Sequence, residues 1–96
     1  MLLLGRFKIS GHSMEPFIKN GESIMASGLL YLFKDPKIKD IVVFKDKNNK
    51  ILIKRITKIK NGEYFLEGDN KSDSLDSKQM GLIKRNQIMA KFIIKI

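Results

Sequence analysis

The sequence has no cysteine, a single histidine and no apolar run long enough to cross a bilayer. Without cysteine there can be no disulfide, no thiolate metal site and no thiol nucleophile. A transmembrane helix needs about 20 apolar residues, whereas the N-terminal run Met1-Leu2-Leu3-Leu4 ends at Gly5. We therefore expect a protein without a transmembrane segment, either soluble or held against a membrane from one side, most simply the cytoplasmic side.

Acidic residues are scarce relative to basic ones. Nineteen Lys and Arg against ten Asp and Glu give a formal net charge of +9, and the lysines are scattered along the chain. Scattered lysines favour solvated strand faces, with peripheral contact to an anionic membrane as a second possibility, and we expect no nucleic-acid partner. The 96 residues, 43% of them apolar, suit a single domain spanning residues 1–96.

Short apolar runs separated by turn signals predict an all-β fold. The expected strands are Leu4–Ile9, Ser23–Ala26, Asp40–Phe44, Ile51–Ile56, Tyr64–Glu67 and Ile88–Ile94, the last closing the sheet. The pair Asn61-Gly62 tolerates the positive φ values of a two-residue hairpin turn. No long helix is evident, so the prediction is a coiled, partly closed antiparallel sheet.

The apolar run Leu29–Phe33 has two interpretations. The first, which we favour from the sequence, is a strand buried on both faces. The second is an exposed apolar lip beside the active site that contacts lipid or an apolar peptide, since exposed apolar patches mark interaction surfaces.

Ser13 follows the flexible Gly11 and precedes Met14 and Pro16, so its hydroxyl is expected at a tight bend after the first strand. A serine there can reach a carbonyl group, and the neighbouring backbone N–H groups can hold an oxyanion. The hydroxyl needs a base. The single histidine, His12, adjoins Ser13, and adjacent side chains of an extended segment point apart.

Lys54 is the better candidate for the base. Period-2 alternation in the strand places Leu52, Lys54 and Ile56 on one face. Desolvation disfavours the charged amine, and lowering its pKa from about 10.4 to about 8 takes roughly 3 kcal/mol. The plainer interpretation is that Lys54 belongs to a solvated edge strand, because lysine is rarely buried.

Gly68-Asp69-Asn70 opens a third polar block, followed by Ser74, Asp76 and Ser77. Together with Ser13-Met14-Glu15-Pro16 and Lys54-Arg55, this block resembles the type I signal peptidase family of Ser/Lys proteases, in the same order along the chain. The resemblance runs from about Ser10 to the C-terminus.

The resemblance implies a role for each matching residue. Ser13 would be the nucleophile and Lys54 the general base, with Gly11 near the oxyanion and Ser74 orienting the lysine. Asp76 would pair with a cation that shapes the substrate cleft. The remaining matches belong to the motifs around the cleft and are Met14, Pro16, Arg55 and Ser77. No metal or other cofactor is implied.

Three substitutions depart from the family pattern. Lys78 replaces an arginine, Glu22 replaces an aspartate, and Gly11 has no hydroxyl to add to an oxyanion hole. In addition, the 96 residues match neither the family's transmembrane anchor nor its larger second domain.

The chain thus looks most like compact members such as nickel superoxide dismutase maturation proteases. The function that follows is a serine endopeptidase removing an N-terminal leader or signal segment, and its partner would be a protein or peptide with an extended leader. The alternatives are a self-cleaving repressor-type Ser/Lys peptidase domain and a non-catalytic basic β-barrel binding module.

Overall fold

Six β-strands form the scaffold in the computed structural model, which describes residues 4–71 and 81–96. They are β1 (Gly5–Lys8), β2 (Ser23–Ser27), β3 (Ile41–Lys45), β4 (Ile51–Lys60), β5 (Glu63–Glu67) and β6 (Ile88–Lys95). The same ranges include two short 3₁₀ turns, Leu29–Leu32 and Arg85–Gln87. The all-β prediction is confirmed.

The strands form one antiparallel sheet in the order β1-β2-β6-β3-β4-β5. Its two edges are β1 and β5, so the sheet is not closed. The sequence had suggested that the last strand closes the sheet, but β6 lies in its middle, paired with β2 on one side and β3 on the other. This strand joins the hairpin that contains Ser13 to the three strands β3, β4 and β5.

The turn between β4 and β5 forms as its residues predict. Asn61 and Gly62 adopt φ values of 51° and 78°, the conformation that a tight two-residue hairpin turn requires. The two strands stay paired until Arg55 lies opposite Glu67. The chain therefore leaves the sheet at Gly68, beside the β4 residue Lys54.

The core lies on both faces of the sheet. Four consecutive residues of β3, Ile41–Phe44, are buried. Because successive side chains of a strand point to opposite faces, Ile41 and Val43 belong to one apolar cluster and Val42 and Phe44 to another. The first cluster also contains Met14 and Ile18 from the bend after β1. This packing attaches the bend to the sheet.

The apolar run Leu29–Phe33 is not the buried strand that we favoured from the sequence. Its first four residues form a 3₁₀ turn in which Tyr31 alone is buried. A 3₁₀ turn has three residues per turn, so one inward residue leaves its neighbours outside, and Leu29, Leu30, Leu32 and Phe33 are exposed. Neither this turn nor any other described helical segment has the length and apolar character to span a membrane.

Candidate active site

Ser13 lies in the bend between β1 and β2. The bend is held by Met14 and Ile18, which are 1% and 0% exposed in the core. Ser13 itself is half-buried, and its backbone N–H has no acceptor among the described residues. The burial of Met14 thus fixes the position of Ser13 at the edge of the core. The backbone N–H of Ser13 can still donate to a bound group.

Gly11 gives the bend its shape. Its φ of 102° lies in the region that residues with a side chain rarely adopt. Its N–H donates to Oδ1 of Asn20 at 2.8 Å, so this N–H is engaged within the bend. Of the two backbone donors at Gly11 and Ser13, the one at Ser13 is the candidate for an oxyanion.

His12 pairs with Glu15. Its Nδ1 lies 2.8 Å from Oε2 of Glu15, and the histidine side chain is 55% exposed. The hydrogen bond with His12, followed by one from the backbone of Asn20, lowers the pKa of Glu15 below its ordinary value. His12 is therefore held by a carboxylate at the surface of the bend.

Lys54 is a buried charged residue in β4. It is 3% exposed and lies opposite Val42 of β3. Its strand runs between β3 and β5, so the interpretation of a solvated edge strand is wrong. Leu52 and Ile56, which share its face by alternation, belong to the apolar cluster of Val42. Lys54 is thus buried on a face of β4 that it shares with apolar side chains.

Arg55 links this strand to the third motif. Its Nε and one terminal nitrogen donate to the two carboxylate oxygens of Asp69, each at 2.8 Å. This pairing raises the pKa of Arg55 above its ordinary value. The guanidinium also lies 5.9 Å from the ring centre of Phe17, which follows Pro16. Arg55 therefore contacts residues next to both other motifs.

Asn70 completes the connection to the serine. Its backbone N–H donates to the carbonyl of Ser13 at 2.8 Å, and its side-chain Nδ2 donates to the carbonyl of His12 at 3.0 Å. The sequence predicted neither these contacts of Asn70 nor the pairing of Asp69 with Arg55. The signal that could have found the ion pair was an arginine in a half-buried strand together with an aspartate in the following block.

A groove of about 260 Å³ lies beside the serine. Ser10 and Ser13 line it, with apolar walls from β1, β3 and β4 that include Phe7, Val43 and Leu52. Ile53, the residue before Lys54, also lines this groove. The space thus runs from the candidate nucleophile to the strand of the candidate base.

The structure brings the three sequence motifs together through Arg55, Asp69 and Asn70. It does not join every candidate residue directly, since no hydrogen bond within the described ranges connects Ser13 to Lys54. Their catalytic pairing stays a prediction. Pro16 is exposed in the bend, whereas Ser74, Asp76 and Ser77, like the substituted Lys78, lie outside the described residues.

Two comparisons with known proteins bear on this arrangement. The family described as "Signal peptidase, peptidase S26" matches residues 1–57 and 57–96. The chain is also 23% identical over 134 aligned positions to the protein named "Signal peptidase I V" from Bacillus subtilis (strain 168). That alignment covers 86% of this chain and 80% of the relative.

Proposed function

Because the chain belongs to the signal peptidase family, peptidase S26, we propose that it is a serine endopeptidase with Ser13 as nucleophile and Lys54 as general base. The observation that carries the proposal is the contact path between them. Asn70 binds the carbonyl of Ser13, and its neighbour Asp69 binds Arg55, which follows Lys54 in β4. Contacts thus link motifs that are far apart in sequence, and Ser13 among them lines the groove.

The burial of Lys54 supports its role as a base. A solvated lysine amine is protonated at neutral pH and cannot accept a proton. At 3% exposure, within an apolar face, the amine loses the hydration that stabilises its charge. His12, by contrast, is 55% exposed at the surface of the bend, so of the two candidates only Lys54 has buried surroundings.

In the proposed reaction, the amine of Lys54 takes the proton of the Ser13 hydroxyl while the oxygen attacks the carbonyl carbon of the scissile peptide bond. The backbone N–H of Ser13 donates to the resulting oxyanion. The ammonium of Lys54 returns the proton to the leaving nitrogen, and the peptide C–N bond breaks. A water molecule then attacks the ester, with Lys54 taking its proton, and Ser13 regains its hydroxyl.

The substrate we propose is an extended leader segment of a protein. The groove beside Ser13 is open and lined mainly by apolar side chains, which suits a chain in extended conformation more than a folded surface. The family assignment favours this function over a self-cleaving repressor-type domain and over a non-catalytic binding module. Residues 1–96 would act as a signal peptidase-like catalytic domain.

The direct test is a cleavage assay on a library of unstructured peptides, read by mass spectrometry. We expect specific cleavage by the unchanged protein and none by Ser13→Ala or Lys54→Met, with both variants folded by circular dichroism. Lys58→Met changes an exposed lysine of the same strand and should cleave normally. Turnover remaining in either active-site variant would remove that residue from the mechanism.

We further propose that the peptidase works against an anionic membrane, through an apolar turn made of Leu29, Leu30, Leu32 and Phe33. These side chains are 48%, 44%, 49% and 81% exposed. The turn is held outward by Tyr31, whose hydroxyl donates to Asp40 at 2.7 Å. Such exposed apolar groups mark interaction surfaces.

The charges around the apolar turn select the partner. Lys34 and Lys37 follow it and are exposed, and the acidic Asp35 between them is paired with Arg85 at 3.6 Å. The whole chain carries a formal charge of +9. An apolar protrusion flanked by lysines matches the interface of a bilayer that contains anionic lipid. A neutral bilayer would offer only the apolar part of this contact.

Vesicle sedimentation tests the membrane contact. The protein should bind vesicles of phosphatidylcholine and phosphatidylglycerol more tightly than vesicles of phosphatidylcholine alone, and Phe33→Ser should weaken this binding. The matched control, Ile59→Ser, changes an exposed apolar residue of β4. If the two variants weakened vesicle binding equally, the proposal would be contradicted. It would also be contradicted if the protein bound no vesicles and Phe33→Ser changed only its self-association.

A further inference from the structure

Two lysines line the groove beside Ser13. Lys8 ends β1 and Lys50 precedes β4, and both contribute to the walls of the groove. Both side chains are exposed. Apart from these lysines, the described lining consists of apolar side chains and the hydroxyls of Ser10 and Ser13. The described walls therefore contain positive charge and no carboxylate.

Neither lysine amine is paired with an acidic side chain in residues 4–71 and 81–96. The nearest acidic residue in sequence to Lys50 is Asp46. Its Oδ1 accepts the backbone N–H groups of Asn48 and Lys50, at 2.8 and 2.9 Å, so it stabilises the turn between β3 and β4. Both cations thus remain available to a molecule in the groove.

The apolar walls make these charges more effective. A charge beside apolar surface interacts more strongly with an opposite charge than it does in open water, because less solvent screens the pair. A cleft lined by one sign of charge also concentrates ligands of the other sign. A peptide with a carboxylate side chain should therefore bind more tightly than a neutral or basic peptide of the same shape.

We propose that the groove selects peptides with an acidic side chain close to the scissile bond, and that Lys8 and Lys50 are the residues that recognise it. This inference rests on the proposed function, since it assigns a substrate class to the same groove. The apolar walls contact the extended peptide, while the two amines bind the carboxylate of one of its side chains.

Binding to the inactive variant Ser13→Ala tests the inference without depending on catalysis. The probes are fluorescent peptide series that differ by Glu, Gln or Lys at one position, with the position moved along the peptide. At low salt and at one position or more, the Glu peptide should bind about fivefold more tightly than the Lys peptide. The preference should shrink at high salt, because salt screens exposed charges.

Charge reversal identifies the residues responsible. Lys8→Glu and Lys50→Glu, each added to Ser13→Ala, should abolish or invert the ratio of Glu-peptide to Lys-peptide affinity. Lys60→Glu, at the far end of β4 and outside the described lining of the groove, makes the same change in net charge. This control should leave the ratio as it is.

The outcomes separate the inference from the function. Equal affinities for the Glu and Lys peptides at every position would overturn the inference, and so would an equal effect of Lys60→Glu. If cleavage by the unchanged protein depended on Ser13 but not on peptide charge, the proposed function would be supported and the inference would be overturned. Acid-selective binding without cleavage would support the inference and contradict the catalytic proposal.

Discussion

Arg55 holds Asp69 by two parallel hydrogen bonds of 2.8 Å, one to each carboxylate oxygen. This pairing attaches the block that begins at Gly68 to the strand that contains Lys54. Asn70, the next residue, donates to the carbonyls of both His12 and Ser13. One ion pair therefore positions the backbone that supports the serine bend.

We expect Arg55→Lys to lower both stability and activity. Lysine keeps the charge but cannot make the two-point hydrogen bond that a planar guanidinium makes with a carboxylate. Because the pair is partly exposed, with side chains 32% and 20% accessible, the loss in the free energy of unfolding should be about 1 kcal/mol. Urea denaturation measures this loss, and peptide cleavage measures the effect on activity.

The exposed pair between Lys71 and Glu67 is the matched control for that experiment. The Lys71 side chain is 64% exposed, so Lys71→Met should change the unfolding free energy by less than about 0.5 kcal/mol and leave cleavage intact. If both substitutions have equal effects on activity, the ion pair of Arg55 has no special part in the site.

Met14→Ala should destabilise the protein and loosen the serine bend. Met14 is 1% exposed in the core, and removal of a buried side chain of this size costs about 3 kcal/mol. Met14→Leu keeps the volume and should cost less than about 1.5 kcal/mol. Thermal unfolding gives the two stabilities. Cleavage assayed below both melting temperatures should fall in Met14→Ala alone, and equal activity would show that the bend does not need this anchor.

The pair His12 and Glu15 gives a prediction about pH. The pKa of Glu15 is lowered, mainly by its hydrogen bond to His12. A lowered pKa in the folded state means that the pairing stabilises the fold above the ordinary value of 4.5 and is lost as the pH falls through the lower folded value. In His12→Ala, the pKa of Glu15 should rise, as an NMR titration of its side chain would show.

The same variant separates the two candidate bases. If Lys54 is the base, His12→Ala should keep most of the cleavage activity, because the His12 side chain then only stabilises the bend through its contact with Glu15. A loss of activity as large as that in Lys54→Met would instead make His12 part of the proton transfer.

Two buried tyrosines provide a matched comparison around the apolar turn. Burial, together with the hydrogen bond to Asp40, raises the pKa of Tyr31, and burial raises the pKa of Tyr64. Only Tyr31 has a described hydrogen bond from its hydroxyl. Tyr31→Phe should therefore lower the free energy of unfolding by about 2 kcal/mol, and Tyr64→Phe by less than about 0.5 kcal/mol. If urea denaturation gave equal losses of unfolding free energy for the two variants, the hydrogen bond to Asp40 would not be what stabilises the turn.

Local pattern was sufficient to predict most of the sheet. Alternation in Ile51–Ile56 correctly placed Lys54 with Leu52 and Ile56, because period 2 is a property of any strand. The Asn61-Gly62 turn was also predicted correctly, since few residue pairs accept its positive φ values.

The errors arose where tertiary contacts decide. Leu29–Phe33 reads as a buried strand because hydrophobicity alone does not tell whether a partner surface exists. In the fold only Tyr31 points inward, where its hydroxyl reaches Asp40. The position of β6 in the middle of the sheet depends on pairing between distant segments, which its own residues do not specify.

The site was predictable in its motifs but not in its connections. Ser13, Lys54 and the Gly68 block each follow a recognisable local pattern. The hydrogen bond from the Asn70 side chain to the carbonyl of His12 joins residues 58 positions apart. No periodicity encodes a contact of that kind.

Acylation of the serine is the measurement that tests the Ser13 and Lys54 mechanism most directly. The protein is exposed to a serine-acylating probe, and the adduct is located and timed by mass spectrometry in the unchanged protein, in Lys54→Met and in the control Lys58→Met. We predict one adduct, on Ser13, formed at the same rate in the control and about 100-fold more slowly in Lys54→Met. An adduct on another residue, or an unchanged rate in Lys54→Met, would contradict the mechanism.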